Sequence, residues 1–293
     1  MLLPLVEGVE RMGLSAEPVL ARHQLVRSAV SQEDLFVPAA TMYTLVEELA
    51  DFSGDPYFGT HVGERLNPWS WPPLAQAAAA ARTVGDYLVR FAIAAGSVAS
   101  SVDYSLETTG DRSRFSARRV TDGGVQPRHN DGFTLAYVLG IIRPAVGRAW
   151  VGQQVLASVT DPAVVPPGYR GMRLASTGSL GFSLAFPSEW LLLTPQLDRG
   201  RASPRSEEPA LLPADSVLDS LRLVLKPHLH EAGLGAERVA GLCGLSKRTL
   251  ARRLQQRGTS LSAELASLRR VHAETLLEDE QFSVAEVGAR VGY

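Results

Sequence analysis

The chain has 293 residues, of which 45% are hydrophobic and 20% are charged, and its formal net charge is −2. This composition is typical of a globular protein with room for two cores, and the small net charge means that any surface for a polyanion must be local. The single cysteine excludes an intrachain disulfide framework, and the longest weakly polar run, residues 69–81, is too short to span a membrane, so we expect a cytoplasmic protein with no membrane partner.

The first hundred residues carry helical patterns. Apolar side chains recur three and four positions apart, and residues that cap or stop helices separate the runs, as Ser-Gly-Asp-Pro does at 53–56. The helices predicted on this basis span residues 2–12, 16–28, 38–52, 56–64, 74–81 and 84–95.

An alternating pattern follows these helices. Residues 98–107 and 112–120 alternate between apolar and polar side chains on either side of Thr-Thr-Gly-Asp, which predicts a β-hairpin. Helical spacing returns over residues 127–148, and two short apolar runs, 155–159 and 181–186, predict further strands. We therefore expect residues 1–197 to form an α+β domain.

Periodicity is lost over residues 198–214, where proline, serine and mixed charges predict an exposed linker. We place a domain boundary there, so that residues 215–293 form a second, all-helical domain. Its first predicted helix spans residues 216–230 and carries leucines at helical spacing.

Residues 236–257 predict two short helices joined by a tight turn. Gly244 stops the first helix, Leu245 fills the turn, and the small Ala240 suits the point where the two helices cross. Ser246 is a strong N-cap for the second helix. The apolar positions that would hold the two helices together are Val239, Ala240, Cys243, Leu245, Leu250 and Leu254.

The second of these helices has a basic outer face. No Asp or Glu stands between positions 247 and 257, so the run lacks acids that would neutralise it, as a surface for a polyanion requires. The pattern predicts a helix-turn-helix that binds DNA. The alternative is an ordinary amphipathic hairpin with solvated arginines, and the acid-free run makes that alternative weaker. The basic residues are Lys247, Arg248, Arg252, Arg253 and Arg257.

These features, with the segment that follows them, resemble the DNA-binding domain of AraC/XylS-type transcription regulators. In that family two helix-turn-helix units are joined by one long helix, which here corresponds to residues 262–278. The family's Arg-x-x-x-Ala-x-x-Leu-Leu pattern is present as Arg269, Ala273, Leu276 and Leu277. The resemblance implies an all-α DNA-binding domain and double-stranded DNA as its partner.

The resemblance also implies which side chains meet the DNA. A helix that enters the major groove presents positions i, i+3 and i+4 to the bases, and counting from the cap gives Arg248, Ala251 and Arg252. The two arginines are candidates for guanine contacts and the alanine for a thymine methyl. The side chains expected to contact the DNA backbone are Ser246, Lys247, Thr249 and Gln255.

Residues 283–293 resemble the first helix of the family's second unit and the Gly-Tyr pair of its turn. The second recognition helix and the final helix of the family have no counterpart here, so the resemblance implies an incomplete second unit. With one recognition helix, we expect nearly non-specific DNA affinity and a shallow salt dependence. We also expect the segment with the apolar face formed by Val284, Val287 and Val291 to fray, or that face to be covered by the long helix 262–278 or by another subunit.

The N-terminal domain resembles, in the order of its elements, the effector-sensing domain of a subset of these regulators. The resemblance implies a ligand-responsive transcription regulator, with a small-molecule effector, a second copy of the chain and RNA polymerase as expected partners. No residue pattern identifies the effector, and none indicates a catalytic site, a cofactor or a metal, so we expect no enzyme. Two alternatives stay open: an interaction module that pairs with intact subunits, and an enzyme-like N-terminal domain with an appended helix-turn-helix.

Other groupings of residues carry less weight. His228 and His230 are two positions apart and do not share a helical face, as a metal site would need. His129 and Asp131 lack a nucleophile nearby, and we expect them on a solvated surface. The large aromatic residues of the first domain could line an effector pocket or form its core, and we favour the core. They are Trp69, Trp71, Phe91, Tyr104 and Tyr137.

Overall fold

The fold is taken from a computed structural model of the chain. The residues that it describes are 2–31, 35–67, 69, 71–96, 99, 101–120, 125–178, 181–197, 217–231, 233–243, 246–277 and 283–292. The predicted linker, residues 198–214, lies outside the described residues. The same is true of Gly244 and Leu245, which we expect to form the turn, and of Glu278 and Tyr293.

The chain divides into two compact units. The first unit consists of Met1–Ser15 and Val46–Pro213, and the second consists of Ala16–Leu45 and Ala214–Tyr293. A segment from near the start of the chain therefore belongs to the same unit as the helix-turn-helix sequence. Among the described helices, none has both the length and the apolar character needed to cross a membrane.

Most helices lie where the apolar spacing predicts them. The predicted helix 16–28 is instead two short helices, because Gln24 between them has a left-handed φ of 57°. The predicted helix 216–230 ends at Leu225, because Pro227 has no amide hydrogen and disfavours helical backbone before it. In chain order the α-helices are α1 (Leu2–Arg11), α2 (Glu17–Arg22), α3 (Arg27–Val30), α4 (Ala39–Ser53), α5 (Phe58–Glu64), α6 (Pro72–Ala80), α7 (Val84–Gly96), α8 (Arg128–Val146), α9 (Val217–Leu225), α10 (Ala236–Leu242), α11 (Lys247–Gln255), α12 (Leu261–Leu277) and α13 (Val284–Arg290).

The described strands form one five-stranded sheet. They are β1 (Val102–Thr109), β2 (Arg112–Arg119), β3 (Leu156–Val159), β4 (Arg173–Ser176) and β5 (Gly181–Pro187). The order in the sheet is β1-β2-β5-β3-β4, and β1 and β2 form the predicted hairpin. The strand β4 was not predicted, because it is a four-residue edge strand whose burial does not alternate; it pairs in parallel with β3. The α+β class of the N-terminal part and the helical class of the C-terminal part are confirmed.

The first unit has a core between its sheet and the helices α6, α7 and α8. Large side chains fill it without solvent exposure, and burial of such side chains is the main source of stability for a domain of this kind. The largest fully buried members are Tyr87, Phe115, Phe186, Leu74, Leu88 and Leu135.

Helices α5 and α8 lie unusually close together because glycines stand where they touch. A Cβ atom added to Gly59 would lie 1.9 Å from the backbone oxygen of His129, and one added to Gly63 would lie 2.3 Å from that of Phe133. Any other residue at these two positions would push the helices apart. The contact brings the C-terminal end of α5 against the middle of α8.

Asp131 is buried, so its predicted place on a solvated surface is wrong. It forms an ion pair with Arg119 of β2, and its Oδ2 accepts hydrogen bonds from the backbone N–H of Thr160 at 2.9 Å and from the Thr160 hydroxyl at 2.6 Å. Burial raises the pKa of Asp131, and the Arg119 charge acts against that rise. The partners come from strands distant in sequence, so local spacing gave no sign of them.

His129 is also buried, which corrects the same expectation. Its backbone N–H donates to the Glu47 carboxylate at 2.8 Å, and its Nδ1 accepts from the backbone N–H of Gly59 at 3.4 Å. Burial lowers the pKa of His129 to about 4, and the Arg128 charge adds to that effect. The imidazole is therefore a neutral acceptor that joins α8 to α5.

In the second unit, α12 is the long helix predicted at residues 262–278. Its buried Glu264 accepts from Arg222 of α9 at 2.9 Å and from the Thr259 hydroxyl at 2.8 Å. The last helix, α13, begins with a capping box in which Ser283 and Glu286 bond each other's backbone N–H.

The apolar face predicted on α13 is covered at two of its three positions. Val287 and Val291 are buried, and α13 packs against α12. Val284, at the first turn, is 78% exposed. Contact with the long helix α12, within the second unit, is one of the outcomes expected from the sequence.

Candidate functional site

The two helices predicted for the helix-turn-helix are present as α10 and α11. Val239 and Ala240 on α10 are buried, as are Leu250 and Leu254 on α11, and the two helices contact each other. Cys243 follows α10 as its C-terminal cap and is half-buried. Burial raises the pKa of its thiol to about 11, so the thiol stays protonated and serves as packing.

The N-terminus of α11 is capped as the sequence predicts. The Ser246 hydroxyl accepts from the backbone N–H of Thr249 at 3.1 Å, and the two hydroxyls are 2.9 Å apart. Thr249 is half-buried, whereas Ser246 is exposed. Both residues, which are predicted DNA-backbone contacts, therefore also fix the start of the helix.

The outer face of α11 carries an exposed stripe. Its members recur at i, i+3, i+4 and i+7, which places them on one side of the helix, away from the buried leucines. Arg253 is exposed beside the stripe. The stripe consists of the three predicted base-contact positions and one predicted backbone contact, Arg248, Ala251, Arg252 and Gln255.

One cation of this helix has an acidic partner. Lys247 Nζ lies 2.8 Å from Glu237 Oε2, and both side chains are largely exposed. The sequence interpretation, in which no acid neutralises the run, is therefore wrong for Lys247, because Glu237 belongs to α10, which contacts α11. Arg257 Nη1 donates to the Arg253 carbonyl at 3.2 Å, which uses no acid.

A polar network joins the elements around the helix-turn-helix. His228 Nδ1 is 2.7 Å from Glu231 Oε1, and the same carboxylate receives Arg238 Nε on Oε2 at 2.9 Å and Nη2 on Oε1 at 3.0 Å. Arg269 Nη2 of α12 donates to the Glu231 carbonyl at 3.1 Å. The hydrogen bond from Arg238 is the main cause that lowers the pKa of Glu231 to about 2. Across the described residues, no three His, Cys, Asp or Glu side chains are grouped as a metal site would need.

The aromatic residues of the first unit pack around Phe91. Its ring centroid lies 5.1 Å from that of Tyr104, 5.8 Å from that of Tyr137 and 6.1 Å from that of Trp71, all in edge-on geometry. These side chains are core, as expected. Two of the five predicted residues, Trp69 and Tyr137, also line a cleft, so core and pocket are not exclusive here.

This cleft lies where α5 meets α8 and has a volume of about 190 Å³. A smaller space of about 10 Å³ among the aromatic rings shares Leu66 and Tyr137 with it. The side chains and backbone that line the larger cleft include Glu64, Asn67, Trp69, Tyr137, Gly140 and Gln196.

The polar groups near the cleft are partly tied to the protein. Glu64 Oε1 accepts from the Tyr169 hydroxyl at 2.9 Å and from Arg170 Nη2 at 2.6 Å. The Tyr137 hydroxyl is hydrogen-bonded to that of Tyr87, and burial raises the pKa of both phenols. Both tyrosines of this pair are therefore neutral at physiological pH.

Sequence reasoning missed Glu64 and Gly140 as cleft residues. Gly140 lies within the helix predicted at residues 127–148; it is exposed, and no atom lies within 4 Å of the position its Cβ would take. A signal was present in the sequence. Pro144 lies inside the predicted helix, four residues after Gly140. Because proline has no N–H, the carbonyl of Gly140 lacks the hydrogen bond that it would normally accept in a helix.

Comparison with known proteins gives two similarities. The family model described as "Arabinose-binding domain of AraC transcription regulator, N-term" matches residues 13–172, more than half of the chain. Among solved structures, the chain is similar to the transcriptional regulator CdpR from Pseudomonas aeruginosa, with 17% sequence identity and a TM-score of 0.40, over 95% of this chain and 89% of that chain. A search of curated proteins found no match.

Proposed function

Because the chain belongs to the AraC family of transcription regulators, through the N-terminal arabinose-binding domain that the family model describes, we propose that it is a ligand-responsive regulator that binds double-stranded DNA with α11. In this proposal Arg248, Ala251 and Arg252 meet base edges. Ser246, Lys247, Thr249 and Gln255 contact the DNA backbone.

The observation that carries the proposal is the exposed stripe on α11. A capped nine-residue helix buries Leu250 and Leu254 against its unit and presents arginines outward, which is the arrangement that a major-groove helix requires. Arginine can donate two hydrogen bonds to guanine, and the small Ala251 between two arginines leaves room for a thymine methyl. A helix whose outer face is only solvated does not need that face to be free of Asp and Glu.

The sensing step follows from linkage. An effector that binds one arrangement of the first unit more tightly than another shifts the populations, and DNA affinity changes by the same coupling. The expected homodimer, the contact with RNA polymerase and the cytoplasmic location belong to the same proposal. The domain boundary at residues 198–214 remains a prediction.

The test is a selection of duplexes from a randomised pool, followed by fluorescence anisotropy of selected and scrambled duplexes at several salt concentrations. Since one recognition helix is expected to give nearly non-specific affinity, the preference for the selected duplex should be small, and a variant with Arg248→Ala and Arg252→Ala should lose it. The matched control replaces Arg148 and Arg173, two exposed arginines of the first unit, by alanine. Equal DNA binding by both double variants would refute the role of α11.

A further inference from the structure

We propose that the cleft between α5 and α8 is the effector site and that it takes a small organic amine with a flat apolar body. This inference rests on the proposed ligand-responsive function. Its starting observation is a space of about 190 Å³ whose lining includes Glu64 and Gly140 as well as the aromatic side chains of Trp69 and Tyr137.

The first acceptor is the Glu64 carboxylate. Both hydrogen bonds that it makes with described residues fall on Oε1, from Tyr169 and Arg170, so Oε2 is left for a donor in the cleft. Arg170 is the nearby cation, and its guanidinium is already committed to Glu64 at 2.6 Å. An anionic ligand would therefore meet a carboxylate whose counter-charge is in use, whereas an ammonium group would be attracted.

The second acceptor is the backbone carbonyl of Gly140. In a helix this oxygen would accept from the N–H four residues later, but that residue is Pro144, which has no N–H. A Cβ here would have no atom within 4 Å, so a side chain added at this wall of the cleft has open space to occupy. A glycine inside a helix is less stable than an alanine there, but it lets a ligand approach the backbone closely. A glycine at the wall of a cleft therefore fits a role in exposing the backbone carbonyl to a ligand.

The apolar walls of the cleft favour a ligand with a flat, apolar ring. Trp69 and Tyr137 offer aromatic surfaces, and an ammonium group near such rings gains a cation–π attraction. The Tyr137 hydroxyl is already bonded to Tyr87, so its ring is the part that contributes to the wall. A water molecule takes up about 30 Å³ of the liquid, so the cleft has the volume of roughly six waters, enough for one aromatic ring with a short substituent.

Three probes of similar size distinguish a cationic, a neutral and an anionic ligand: benzylamine, benzyl alcohol and benzoate. With the full chain, millimolar benzylamine should raise the melting temperature most, benzyl alcohol less, and benzoate not at all. Glu64→Gln, which keeps the shape and removes the charge, should reduce the preference for benzylamine over benzyl alcohol at least several-fold in calorimetric titration.

The location is tested by filling the cleft. Gly140→Leu should weaken benzylamine binding at least tenfold, with Gly140→Ala as the milder variant should the leucine variant not fold. Gly288→Leu is the matched control, because Gly288 is also helical, has no atom within 4 Å of its Cβ position and lies in the second unit. The control should bind benzylamine as the unmodified chain does.

Three results would overturn the inference: benzoate binding as tightly as benzylamine, full benzylamine binding by a folded Gly140→Leu variant, or no response to any of the probes. These readouts do not involve DNA. If the chain binds benzylamine but not DNA, the proposed regulator function is refuted and the effector site in the cleft stands. If it binds DNA but not benzylamine, the effector site is refuted and the regulator function stands.

Discussion

Arg238 in the first helix of the helix-turn-helix donates a hydrogen bond from Nη1 to the backbone carbonyl of Gln24, a residue 214 positions earlier in the chain. The Gln24 side chain lies over Gly241, where an added Cβ would be 2.6 Å from Oε1. Gln24 has a left-handed φ, which costs a non-glycine residue about 1 kcal/mol. The segment between α2 and α3 is thus held against α10 by the hydrogen bond from Arg238 and by the space above Gly241, which the Gln24 side chain occupies.

Replacing Arg238 by methionine should release this contact. Hydrogen bonds to charged groups are worth about 1.5–3 kcal/mol, and partial exposure reduces this, so we expect a loss of about 1–2 kcal/mol in unfolding free energy. Hydrogen exchange should also become faster over residues 17–31. The control is Arg257→Met, an exposed arginine whose Nη1 donates to the carbonyl of Arg253, four residues earlier. Unchanged exchange in the Arg238 variant would mean that the bond to Gln24 is not what holds the segment.

Glu231 should make the stability of the second unit depend on acid. Its folded pKa, about 2, is below the ordinary value of 4.5, chiefly because Arg238 donates to it. A depressed carboxyl pKa stabilises the folded state above pH 4.5, and this contribution is lost as the pH falls from 4.5 towards 2. Melting curves of the chain and of Glu231→Gln should converge over that window. A constant gap between the two curves would contradict the assignment.

Arg252→Ala should change the sequence preference of DNA binding, whereas Lys247→Ala should change only its overall affinity. Loss of a bidentate arginine contact costs about 1–3 kcal/mol at one base pair, so the Arg252 variant should relax a single position in the selected site. The Lys247 variant should weaken all sequences alike and reduce the salt slope by at most about 1, because Glu237 already pairs with the lysine. Selection followed by salt titration measures both. Uniform weakening by Arg252→Ala would disprove base contact.

Ala240→Leu should disrupt the helix-turn-helix. Ala240 is 3% exposed on α10, and adding three carbons to a packed site costs about 1–3 kcal/mol. Thermal unfolding and DNA affinity should both fall. Ala285→Leu, at an exposed position of α13, makes the same change without burial and should leave both unchanged. An unaltered melting temperature for Ala240→Leu would indicate that the helices do not cross at this residue.

His129 should make the first unit sensitive to acid at a higher pH. Its folded pKa of about 4 lies below the ordinary 6.5, so protonation favours the unfolded chain and stability falls between pH 6.5 and 4. At pH 5 the loss amounts to about 2 kcal/mol. His129→Asn keeps an acceptor for Gly59 and should flatten this dependence, while His230→Asn, at an exposed position, should not. A steep acid transition in the His129 variant would be the contrary result.

The amino-acid sequence alone was sufficient for the features set by local patterns. The period of apolar residues determined most helices and the β1–β2 hairpin, and the family inferred from the residue patterns is confirmed. The cap at Ser246 was likewise predictable, because an N-cap depends on a few consecutive residues. Prediction was poorer where one residue changes the backbone, as at Gln24 and Pro227.

The tertiary structure decided everything that depends on partners distant in sequence. Asp131 was expected in solvent and is buried, because Arg119 and Thr160 come from other elements to satisfy its charge. Helices α5 and α8 can approach closely because Gly59 and Gly63 have no Cβ, and Lys247 has an acid beside it because α10 contacts α11. Burial and pairing are properties of three-dimensional neighbours, and periodicity along the chain indicates which face is covered but not which residue covers it.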